Sequence, residues 1–171
     1  MSTPAAELRV GKYLRTGIAV DSGLLILLIV GRYDSSFIAN YKVTSSFSED
    51  DFSLLANFVS RFRRIVITPH ILAELSNHSF KIPQGRLVLY LDVFIRLARL
   101  FKESPQTKDL ILSHPCFKQI GVTDTGLIIS CASGPYFLLT IDHTLRGLAE
   151  KYGVDAMHFN ELRGYSWFAN S

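Results

Sequence analysis

A chain of 171 residues, 48% apolar and 19% charged, is long enough to bury a core, which excludes an intrinsically disordered protein. A net charge of +3 and a pI near 8.9 suit a polyanionic partner without identifying one. Two cysteines, Cys116 and Cys131, are too few for a disulfide framework and form no CxxC pair, so they read as buried thiols in a reducing, cytoplasmic compartment.

Residues 1–15 read as a loose lead-in. "GIAV" (17–20) is a short, partly β-branched apolar run and predicts a buried strand. "SGLLILLIVGRY" is too long and Leu-rich to continue that strand and predicts a buried helix. Asp21 stands between them. Residues 17–31 also admit a signal-peptide reading, but Asp21 interrupts the run and no A-x-A-like site follows. The uninterrupted part, Gly23 to Gly31, is far shorter than the roughly 20 residues a bilayer needs, so no membrane role is expected. "DSSFIANYKVTSS" reads as a polar loop. A helix follows, with Ser48 as N-cap, Glu49, Asp50 and Asp51 in its first turn and the arginines of "RFRR" (61–64) at its end.

"IVIT" (65–68) predicts the second strand. Thr68 then caps a helix with Pro69 at its first position. "KIPQG" breaks the pattern, and residues 86–101 form a long amphipathic helix. Residues 104–122 suggest a loop holding one short strand. "TDTGLIISCAS" predicts a helix capped by Thr123 and stopped at Gly134-Pro135. "YFLLT" (136–140) is a strand, "DHTLRGLAEKYG" a helix stopped at Gly153, "VDAMHF" a last strand, and 160–171 a tail. No repeat or low-complexity segment occurs. Strands alternating with helices predict a mostly parallel sheet covered on both faces: one α/β domain over 1–171, a three-layer α/β/α sandwich.

In open α/β sheets ligands bind beyond the carboxyl ends of the strands. Four acids fall at such junctions or in the first turns of helices: Asp21 after "GIAV", Glu74 in the helix after "IVIT", Asp124 after Thr123, and Asp142 just beyond "YFLLT". Parallel neighbouring strands bring these positions to one edge. Four carboxylates there repel, and a cation lets them ionise together. Oxygen-only ligands suit Mg²⁺ or Mn²⁺, ions that commonly act on phosphates.

The pieces "AVDSGLLILL", "ITPHILAELS", "GVTDTGLIISCA" and "LLTIDHTLRGLAEKYGV" resemble, in order, the four motifs of the PIN-domain family. The resemblance spans about residues 17–160. It implies a Mg²⁺- or Mn²⁺-dependent ribonuclease with Asp21, Glu74, Asp124 and Asp142 as metal ligands. Thr140, and Ser22 beside Asp21, would supply hydroxyls near the metal. It further implies RNA as substrate, a homodimer and, as in many members, a toxin role with an antitoxin protein as partner. The chain departs from the family at Gly23, where the first motif often carries Asn, and in a longer stretch between Asp21 and Glu74. Gly23 sustains an alternative: a catalytically inert module that binds RNA or a protein.

Each acid also has a plain structural reading. Asp21 and Asp142 suit helix N-caps, Asp124 a dipole-favoured first turn, and Glu74 a solvated helix position. His70, Glu74 and His78 recur on one helix face and offer a rival zinc site lacking a fourth ligand. "RFRR", the stripe of Arg86, Arg96, Arg99 and Lys102, and the aromatics Tyr33, Phe37 and Tyr41 are candidate RNA contacts.

Overall fold

The computed structural model describes residues 4–165. Helix α1 (Pro4–Gly11) leads to strand β1 (Ile18–Val20), and α2 (Ser22–Tyr33) begins after Asp21 alone. A 3₁₀ turn (Ser35–Asn40) and α3 (Glu49–Ser60) precede β2 (Ile65–Ile67), which is followed by α4 (Pro69–Ser79) and α5 (Gln84–Ala98). Next come β3 (Lys102–Glu103), α6 (Lys108–Ser113), α7 (Phe117–Ser133), β4 (Phe137–Thr140), α8 (His143–Lys151), β5 (Ala156–His158) and α9 (Phe159–Arg163).

Among the described residues the sheet has five strands in the order β3-β2-β1-β4-β5, every pairing parallel. Helices flank it in a three-layer α/β/α sandwich, as the alternation of strands and helices predicts. The chain leaves β1 toward β2 and β3, then crosses back to place β4 on the other side of β1. The switch point therefore lies between β1 and β4, where Val20 pairs with Leu139.

Central strands buried on both faces read as apolar runs. Ile18, Ala19 and Val20 of β1 are fully buried, as are Phe137, Leu138, Leu139 and Thr140 of β4. Residues 24–31 of α2 are all buried, which explains a helix that is apolar all round. The long Leu-rich run is thus a core helix. Among the described residues no helix is long and apolar enough to cross a membrane.

Several local expectations are corrected. Part of the lead-in is helix α1, held by burial of Ala6 and Val10 and by Arg9 bonding the Ala156 carbonyl. The polar loop after α2 contains the 3₁₀ turn, and Phe37, Ile38, Tyr41 and Thr44 within it are buried. Phe37 and Tyr41 therefore pack inside, stacked 5.9 Å apart, and offer no face to a base. The arginines after α3 lie at and beyond its C-cap, Arg61. Residues 104–122 hold α6 and the start of α7, while the short strand is β3, just before them. Residues 159–163 form α9, whose Phe159 and Leu162 are buried. The rest of the predicted tail, 166–171, and residues 1–3 of the lead-in lie outside the described residues.

Candidate active site

Asp21 continues the sheet ladder by one bond, its N–H donating to the Leu139 carbonyl at 3.1 Å. Its own backbone is extended, which makes it the N-cap of α2, and its Oδ1 accepts from the Leu24 N–H at 3.1 Å. Its Oδ2 accepts from the Thr140 hydroxyl and from the Ile141 N–H at 2.7 Å. The residue is 6% exposed. Burial pushes its pKa up, and the charge of Asp142 adds to the rise, while the bonds from Thr140, Ile141 and Leu24 oppose it. Capping thus occupies one carboxylate oxygen, and the end of β4 holds the other.

Thr140 ends β4 and is fully buried. Its single hydroxyl proton goes to Asp21, and its oxygen accepts from the Asp142 N–H at 2.9 Å. It orders two acids across the switch point. Asp142 caps α8 with Oδ1, which accepts from the N–H groups of Thr144 at 2.6 Å and Leu145 at 3.1 Å. The residue is exposed.

Glu74 lies in α4, which starts as read from the sequence: Thr68 caps it and Pro69 follows. Glu74 is half-buried, and its Oε1 accepts from the Thr123 hydroxyl at 2.7 Å. Thr123 is therefore not a cap. Helix α7 already starts at Phe117, and its break comes at Gly121, whose φ of 73° and ψ of −168° kink it. Asp124 enters the turn after that kink. Its half-buried carboxyl accepts no hydrogen bond from the described residues, and its pKa is pushed up to about 7. Burial is the main cause, followed by the charges of Asp21, Asp142 and Glu74. All four sequence-predicted acids thus lie within electrostatic reach of one another at Asp124.

Among the described residues, Ser22 makes no hydrogen bond to any of the four acids. Gly23 is covered by the side chain of Ile141: a Cβ there would lie 2.9 Å from Ile141 Cδ1 and 3.8 Å from Asp21 Oδ1. His70 and His78 do not assemble a zinc site with Glu74. Burial and Lys81, whose Nζ is 3.5 Å from Nδ1, hold the His78 pKa down, and the Glu74 charge only partly opposes them. Among the described residues no three His, Cys, Asp or Glu side chains are gathered closely enough to hold a metal ion.

Two histidines escape sequence reasoning. His158, 5% exposed, accepts the Asn160 N–H at Nδ1, so its Nε2, 2.8 Å from the Ile141 carbonyl, carries the proton and donates. It holds the carbonyl of Ile141, the residue whose N–H bonds Asp21. The exposed His143 ring stacks flat on His158, centroids 3.7 Å apart. A lone His in an apolar strand, "AMHF", is the signal that could have found this pair. Cys116 and Cys131 are buried and unlinked, as expected, and burial pushes the Cys131 thiol pKa up.

Comparison of the chain with protein-family models gives no match, and comparison with curated proteins gives none.

Proposed function

We propose that the chain is a Mg²⁺- or Mn²⁺-dependent ribonuclease. The observation that carries this reading is the placement of Asp124, whose half-buried carboxyl accepts no hydrogen bond from the described residues and lies within electrostatic reach of Asp21, Asp142 and Glu74. An oxygen-only donor set of this charge fits a hard divalent cation. Asp21, Glu74, Asp124 and Asp142 would hold it on drawing closer together than they stand in this structure. When bound, such a cation polarises a phosphodiester and lowers the pKa of a water. The chain's own part is positional. Thr140 and the Ile141 amide fix Oδ2 of Asp21, Thr123 fixes Glu74, and the α8 N-terminus fixes Asp142. RNA as the substrate rests on the resemblance to PIN-domain ribonucleases, as do a homodimer and an antitoxin partner.

Purified protein should cleave single-stranded RNA with Mn²⁺ and stop when a chelator is added. Full cleavage by Asp21→Asn would sink the assignment. A homodimer should elute at twice the 19.2 kDa of the chain, and an antitoxin should inhibit by covering the acidic edge. A second reading, an inert module that binds RNA or a protein, is favoured by Ile141 lying over Gly23 and by acids that are near but not gathered. Calorimetric titration with Mn²⁺ separates the two: no heat from the wild type beyond that of Asp21→Asn favours the inert module.

A further inference from the structure

The edge of the sheet opposite the acids has a different chemistry. Arg63 and Arg64 precede β2, Phe101 precedes β3, and Arg32 lies in the last turn of α2, which runs back from the carboxyl edge. In a parallel sheet these positions share the amino edge. A cavity of about 250 Å³ opens there, walled by Leu28, Val59, Leu97 and Leu100 together with Arg32, Arg63 and Arg64. A second, of about 600 Å³, lies along α5 beside Leu89, Ile95, Arg96 and Arg99, with Asp92 its one acid. Leu89, Ile95 and Leu100 are 63%, 44% and 75% exposed.

Five arginines therefore border an exposed aliphatic surface. Arg9, Arg86, Arg146 and Arg163 find carboxylates, but among the described residues none of these five has one within ion-pair distance. Arg32 lies over the Phe52 ring, and Arg96 donates to the Asp92 carbonyl.

We propose that this face docks an acidic amphipathic helix of a partner protein. Leucine-sized side chains fill the cavities and cover Leu89, Ile95 and Leu100, which removes apolar surface from water. Flanking Asp and Glu pair with the arginines and steer the encounter. RNA satisfies the arginines alone and leaves three aliphatic side chains facing phosphates. A second copy of the chain brings arginines against arginines. The proposal is independent of nuclease activity, because the face lies away from the four acids.

The test is fluorescence anisotropy with a labelled designed peptide of about 16 residues, Leu on one helical face and Glu elsewhere. The full chain should bind it, and a scrambled peptide of equal composition should bind at least about tenfold more weakly. The double variant Leu89→Ser with Leu100→Ser should weaken binding by about tenfold, as should Arg96→Glu with Arg99→Glu. The arginine variant should in turn prefer a peptide with Lys in place of Glu, a gain that a folding defect does not produce. The proposal is overturned if the patterned peptide does not bind, or if it binds no better than the scrambled one. It is equally overturned if single-stranded RNA displaces the peptide and the leucine changes leave both ligands unaffected. Dimerisation of the chain that is lost with the leucine changes, without peptide binding, overturns it too.

Discussion

Asp21 is a carboxylate that the fold buries and then answers with three donors from two places: Leu24 in α2, and Thr140 and Ile141 at the end of β4. Removing the Thr140 hydroxyl leaves part of that charge unsatisfied, at a cost of about 1–3 kcal/mol. Thr140→Val should therefore lower stability by that amount in urea unfolding, and Thr140→Ser should recover most of it. Asp124 has no such donors among the described residues. Its folded pKa, about 7, lies above the ordinary 3.8, so the unfolded chain gives up this proton first as pH rises. Below pH 3.8 both states are protonated and there is no penalty. Between 3.8 and about 7 stability falls, and above that the loss is constant. Asp124→Asn should thus match wild type near pH 4 and exceed it by on the order of 2 kcal/mol at pH 8, after allowance for solvent screening. Chemical unfolding at the two pH values checks this.

At the scale of elements, local sequence signals hold where a helix end is satisfied by its own neighbours. Ser48 and Asp51 form a reciprocal capping box at α3, with Ser48 Oγ accepting from the Asp51 N–H and Asp51 Oδ2 from the Ser48 N–H. Ser48→Ala should cost about 1 kcal/mol in thermal or urea unfolding. They fail where a distant partner decides. Thr123 has the residue type and spacing of a cap, yet its hydroxyl reaches Glu74 on α4, and the break falls to Gly121. Space around Gly121 is open, so only its backbone resists a side chain. Gly121→Ala should cost about 1–3 kcal/mol and loosen the α7 turn that carries Thr123 and Asp124. Reduced Mn²⁺ affinity, measured apart from stability, is the expected second effect. The segment after α2 reads polar, yet Phe37, Ile38 and Tyr41 within it are buried against neighbouring elements.

Across the whole molecule, strand order decides what the acids can do together. Crossing back after β3 puts β4 beside β1, so residues 21 and 140–142 meet over the carboxyl edge. A cation bound to ionised acids stabilises the fold by mass action, about 2.7 kcal/mol at a hundredfold excess over Kd. Mn²⁺ should therefore raise the melting temperature, and chelator should reverse the shift. The shift should shrink at pH 5, where Asp124 is protonated, and should be absent in Asp21→Asn. Thermal melts across pH, with Ca²⁺ and Mn²⁺ compared, measure this without any RNA.

The sequence by itself determined the α/β class, the four main strands, the starts of α2, α3, α4 and α8, and the four acids, of which Asp21 and Asp142 stand at strand-to-helix junctions. Those features depend on residues a few positions apart: β-branched runs, caps and the acid that follows a strand. The tertiary structure alone decided the strand order, the Thr140–Asp21 bond between residues 119 apart, the Ile141 cover over Gly23 and the arginines gathered at the far edge. Such meetings are set by which surfaces bury each other once the chain closes its long loops, and that choice leaves no local mark in the order of residues.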